Sequence, residues 1–178
     1  YVKLLSGGRL FNLSEEQDPQ KLTNPVAEKA LCMAIGQHGS SEKLFDYSVP
    51  EDEWTHIALS SRASTSVVSL FANGVLVDTI TTRFNLPLTV LGSKIPGQSF
   101  CGQLAEMRVW TAPKTSQEIQ RDMAFDVLGA KGLVSCLRCK ERRGIRIFDS
   151  AGLLSNCKLH GVAWLRGPGP ATKTNPIP

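Results

Sequence analysis

Over most of the middle of the chain, apolar and polar positions alternate with a period of two, the spacing of strands that bury one face. Glu53 to Leu59 sets Trp54, His56 and Ala58 against Thr55, Ile57 and Leu59. Ser66 to Ala72 runs into Asn73-Gly74 and then Val75 to Thr79. Asn-Gly between two apolar runs predicts a two-residue hairpin, because both central residues of a type I′ turn need positive φ. Leu88 to Leu91, closed by Gly92, reads as a further short strand. Gln103 to Trp110 alternates again, with Leu104, Glu106, Arg108 and Trp110 opposed to Ala105, Met107 and Val109.

One segment has helical spacing. Thr115 to Glu118 has capping-box form, with Thr at the cap and Glu three residues on, directly after Pro113. Ile119, Met123 and Val127 follow four residues apart as an apolar stripe, and Gly129 is the expected stop. Beyond it, Gly132 to Leu137, Ile145 to Phe148 and Lys158 to Leu165 read as strands, with Asp149 to Gly152 as a turn. Many short strands, tight turns and one late helix predict an all-β antiparallel sandwich over residues 1–165. Residues 166–178, rich in Pro and Gly, read as a tail or linker.

Composition agrees with a globular domain: 178 residues, 42% apolar and 20% charged. No apolar run approaches the roughly 18–20 residues of a membrane-spanning helix. The chain starts at Tyr1 with no charged-then-apolar leader, and is expected to be an excised or processed piece of something longer. Asn12-Leu13-Ser14 is a glycosylation sequon, meaningful only if the protein is secreted.

The net charge of +4 sits in one place. Arg138, Lys140, Arg142, Arg143 and Arg146 face a single Glu141, and the rest of the chain is neutral. Wrapping duplex nucleic acid calls for basic charge spread along a face or helix, so that partner is not expected. The segment is either a solvated hairpin or a contact for an anion: phosphate, sulfated sugar or an acidic partner.

The five cysteines, Cys32, Cys101, Cys136, Cys139 and Cys157, are an odd number, which disfavours a disulfide scaffold and leans towards an intracellular setting. Cys32 and Cys101 lie in apolar contexts, where buried free thiols are expected. Cys136-x2-Cys139, 17 residues, then Cys157-x2-His160 has the spacing of a structural zinc site. Against it, residues three apart on a strand point to opposite faces, so Cys136 and Cys139 share a metal only if the chain turns between them. Plain structural thiols are the competing reading.

The run Asp52 to Leu59, the hairpin Val68 to Val77, Leu88 to Gly92, Gly102 to Trp110 and Thr115 to Ile119 together resemble the laminin-G-like or concanavalin A-like jelly roll. Phe148 to Gly152 and Gly161 to Trp164 are similar to the closing strands of such sandwiches. The resemblance covers roughly residues 50–165, with the opening strands in residues 1–50 reading as shortened or missing. It implies an interaction module of a larger protein, binding a protein partner or a glycan. A few relatives hydrolyse polysaccharides through an E-x-D-x-x-E strand, a pattern this sequence lacks; Glu51-Asp52-Glu53 reads as a solvated loop. Calcium needs convergent oxygen ligands that Asp46, Asp78 and Asp149 do not supply by spacing. No G-x-S-x-G, P-loop or G-x-G-x-x-G occurs; His38 sits in a turn with no motif partner, and His56, on the strand face shared with Trp54, reads as structural. A non-catalytic binding module without a resident cofactor is the expectation. The alternatives are a zinc-stapled intracellular domain that meets an anionic partner and, less favoured, a carbohydrate-active enzyme.

Overall fold

The computed structural model describes residues 2–6, 31–35, 43–82, 101–153 and 156–165. The predicted strand Leu88–Leu91, the sequon at Asn12, His38, the thiols of Cys32 and Cys101, and the tail lie outside what is described.

Among the described residues the first strands are β1 (Val2–Ser6), β2 (Leu31–Ile35) and β3 (Lys43–Val49). Then come β4 (Trp54–Thr55), β5 (Ile57–Arg62), β6 (Val67–Ala72), β7 (Val75–Thr81), β8 (Cys101–Leu104) and β9 (Met107–Trp110). Helix α1 spans Ser116–Ala124, followed by β10 (Leu133–Leu137), β11 (Arg146–Ile147) and β12 (Cys157–Lys158). Every pairing is antiparallel: β4-β1-β8, β5-β6-β7, β2-β3, β9-β10 and β11-β12. This is an all-β antiparallel sandwich of jelly-roll type with one short helix.

Two alternating runs that looked like single strands are each two strands in different sheets. The first breaks at His56, with β4 on β1 and β5 on β6. The second breaks at Ala105-Glu106, with β8 on β1 and β9 on β10. Glu106 takes φ 51°, which breaks the extended backbone there and turns the chain from one sheet to the other. A third correction concerns Lys158–Leu165, where strand β12 ends at Lys158, one further hydrogen bond joins the Leu159 N–H to the Ile145 carbonyl, and Gly161 adopts φ 63°.

The main core gathers Phe45, Val68 and Leu70, with Tyr47, Ile57, Leu59, Val77 and Ile80 packed around them. Strand β3 lies against β7, where the Asp46 N–H donates to Asp78 Oδ2 at 2.8 Å. A second cluster of Val127, Leu133 and Cys136, with Trp110 and Ala151, sits under the loop after α1. Among the described residues no helix is long and apolar enough to cross a membrane.

Candidate functional site

The β6–β7 hairpin has the predicted turn, with Asn73 at φ 49° and Gly74 at φ 77°. Its tip is docked on both sides. Asn73 clasps His56, the residue at the sheet crossing. On the other side, Ser116 Oγ and Gln120 Nε2 of α1 both donate to the Gly74 carbonyl, at 2.5 and 3.2 Å. The capping box that starts α1 is formed as predicted: the Thr115 hydroxyl accepts from the Glu118 N–H, and the Glu118 carboxylate accepts from the Thr115 N–H at 2.8 Å. The Thr115 N–H first, and then the Thr115 hydroxyl that donates to the same carboxylate at 2.9 Å, hold the Glu118 carboxyl below the usual carboxylate range.

The helix stops at Ala124, before the expected Gly129, because Arg108 occupies its C-terminal end. Arg108 donates to the carbonyls of Asp122, which also accepts the Phe125 N–H, and of Phe125 at the C-cap, adding partners where the helix's own hydrogen bonds run out. Its guanidinium also pairs with Glu106 Oε1 at 2.6 Å. Asp122, buried on the inner side of α1, pairs with Lys114 at 3.1 Å and Arg121 at 2.8 Å. Lys114 in turn lies 3.7 Å over the Trp110 ring. These groups hold α1 against the β9 end of the sandwich.

The four cysteine and histidine residues with zinc spacing are distributed as follows. Strand β10 ends at Leu137 and Cys139 takes φ 53°, so the chain does turn after Cys136. Cys136 is fully buried, with its thiol 3.8 Å from Glu106 Oε1, while the Cys139 thiol points at the Leu137 carbonyl at 3.8 Å. Cys157 lies opposite Ile147 on β12, and His160 is exposed beyond it. Among the described residues no group of three or more His, Cys, Asp or Glu is placed to hold a metal ion. The three thiols are free, and burial above all pushes each of them up. Of the three aspartates, Asp46 and Asp78 meet across β3 and β7. Asp149 instead accepts the N–H groups of Cys136 and Ala151 at 2.8 and 3.0 Å.

The basic segment divides into a tied part and an open part. Arg138 is anchored to Asp126 at 2.5 Å. The Asp126 carboxyl sits below its ordinary range, first through the Leu128 N–H and then through the Arg138 charge. Lys140, Arg142, Arg143 and Arg146 are exposed. Arg142 (φ 62°) and Gly144 (φ 81°) bend the chain into β11, and the Trp164 indole N–H donates to the Gly144 carbonyl at 2.7 Å. The sequence reading missed a fifth exposed cation: Lys158 is the cross-strand partner of Arg146. The turn at Asp149–Gly152 was visible in the sequence, but the register that pairs residues 12 apart was not.

An antiparallel sandwich with a hairpin tip under a late helix defines a class of lectin-like and laminin-like domains. The family model of the concanavalin A-like lectin/glucanases superfamily matches residues 26–120, more than half of the chain. The chain belongs to that superfamily. No curated protein matches it. Among solved structures it is similar to a candidate carbohydrate binding protein from Bacteroides ovatus, with a TM-score of 0.59 at 16% identity. That likeness covers 75% of this chain and 43% of the other, so this chain spans less than half of that protein's length. At such identity the two share a fold.

Proposed function

We propose that this chain is a non-catalytic binding module and that its ligand is a glycan. The observation that carries the reading is how three of the enclosed carboxylates are engaged. Glu106 is paired with Arg108, Asp122 with Lys114 and Arg121, and Asp149 with two backbone N–H groups. Glycoside hydrolysis needs two carboxyl groups facing one cleft at about 5–10 Å, with one of them able to hold a proton. Three carboxylates occupied by cations and amides serve the fold instead. Membership of the lectin/glucanase superfamily supports a sugar ligand, as does the likeness to a candidate carbohydrate binding protein.

Incubation with an array of immobilised polysaccharides, paired with an assay for released reducing ends, tests this. Retention on at least one polysaccharide without release of reducing ends is expected. Release that survives repurification would make the chain an enzyme, and retention on none would redirect the search to a protein partner.

A further inference from the structure

We infer that the outward face of the β11–β12 ribbon is an anion-binding site for an acidic polysaccharide, with sulfate or carboxylate groups seated between Arg146 and Lys158. The inference rests on the binding-module reading above and names its ligand class.

The register places the two cations directly opposite each other. The Leu159 N–H donates to the Ile145 carbonyl at 2.8 Å, which makes Ile145–Leu159 a hydrogen-bonded pair. Arg146–Lys158 is therefore a non-hydrogen-bonded pair, the closer of the two kinds, with Cα atoms about 4.5 Å apart. Alternation puts both side chains on one side of the ribbon, opposite the buried Ile147. Like charges at such a position repel and destabilise the pairing. Among the described residues no carboxylate pairs with Arg142, Arg143, Arg146 or Lys158. The repulsion is relieved when an oxyanion sits between the two cations, and the Arg fork suits sulfate and carboxylate geometry.

The surroundings favour a sugar as the carrier of that anion. Phe148, two residues from Arg146 on the same side, leaves 54% of its surface exposed. A ring so placed offers the apolar face of a pyranose a surface to lie on, beside the cations that take its acidic substituent. Single-stranded nucleic acid is favoured by several aromatic rings in succession along a basic groove; among the described residues Phe148 is the one exposed ring beside the pair, and the half-buried Trp164 is tied by its indole N–H to the Gly144 carbonyl.

The test compares the wild-type chain with R146Q/K158Q, using dextran sulfate, polygalacturonate, neutral dextran and single-stranded DNA as immobilised probes. Binding to dextran sulfate or polygalacturonate is expected to fall at least tenfold in the double variant, and the better probe tells sulfate from carboxylate. The melting temperature should hold or rise, since a repulsion has been removed. A second variant, R62Q/K131Q, loses the same charge outside the ribbon and should bind like wild type. Loss of binding equal in both variants, or equal retention of neutral dextran, would overturn the site while leaving the glycan reading intact. Stronger retention on DNA would overturn the ligand class. No retention on any sugar would overturn both readings.

Discussion

Asn73 and His56 hold each other through two hydrogen bonds: the His56 N–H donates to Asn73 Oδ1 at 2.9 Å, and the Asn73 N–H donates to the His56 carbonyl at 2.8 Å. The hairpin tip thereby fixes the residue at which the chain passes from the β1 sheet to the β5 sheet. Asn73→Ala removes the side-chain acceptor and places a residue less suited to φ 49° at the turn. A loss of about 1–2 kcal/mol is expected from urea unfolding. A change within a few tenths of a kcal/mol would mean the clasp contributes nothing.

Gly74 and Gly129 separate two costs that usually come together. Both have positive φ, at +77° and +83°. A Cβ on Gly129 meets nothing within 4 Å, whereas one on Gly74 would lie 2.3 Å from Gln120 Cγ. Gly129→Ala should cost about 1–2 kcal/mol of backbone strain. Gly74→Ala should cost clearly more, and Gln120→Ala in the same chain should recover part of the difference. Equal costs at the two sites in thermal unfolding would mean the helix gives way without penalty.

Arg108 joins three partners that no shorter cation can reach together: Glu106, and the Asp122 and Phe125 carbonyls at the end of α1. Arg108→Ala removes the cation beside a Glu106 carboxylate that is only 11% exposed. A loss of about 3 kcal/mol is expected. Arg108→Lys should fall between that and wild type, because the ammonium keeps the charge but lacks the planar fork. A lysine variant as stable as wild type would show that charge alone suffices.

His56 gives the fold a pH dependence of known sign. Burial first, and the nearby Arg108 charge with it, lower its pKa from 6.5 to about 4. The folded state therefore refuses a proton that the unfolded chain accepts below about pH 6.5. Stability contributed by the neutral ring is complete above that pH and is lost as pH falls towards 4, by at most about 3 kcal/mol. Urea unfolding of wild type and His56→Gln at pH 7.5 and 5 checks this. Wild type should lose more stability between the two pH values than the glutamine variant.

What the sequence made readable was local. Asn73-Gly74 and the Thr115–Glu118 box encode their geometry within two to four residues, and both are formed. The sheet crossings at His56 and Glu106 left no mark, because a strand that changes partners keeps its period of two. The one backbone signal, φ 51° at Glu106, falls on a residue with no special preference for it. Gly161 could have warned that Lys158–Leu165 does not continue as a strand. The end of α1 was misplaced because its capping partner, Arg108, lies outside the helix. The cation pair on β11–β12 depends on a register that spacing alone does not specify.

A hairpin tip is ordinarily where a β protein accepts a new joint, since exposed turns carry few contacts. Here the tip at residues 73–74 is held by His56 on one side and by Ser116 and Gln120 on the other. The opposite turn, residues 63–65, is exposed, and among the described residues its hydrogen bonds stay within the loop, from Thr65 to the Arg62 carbonyl and from the Ser66 N–H to the Ala63 carbonyl. A protease site or a circular-permutation break belongs at residues 63–65. The same cut at Asn73-Gly74 severs the junction between the two sheets and the helix, and the domain should cease to fold as one unit.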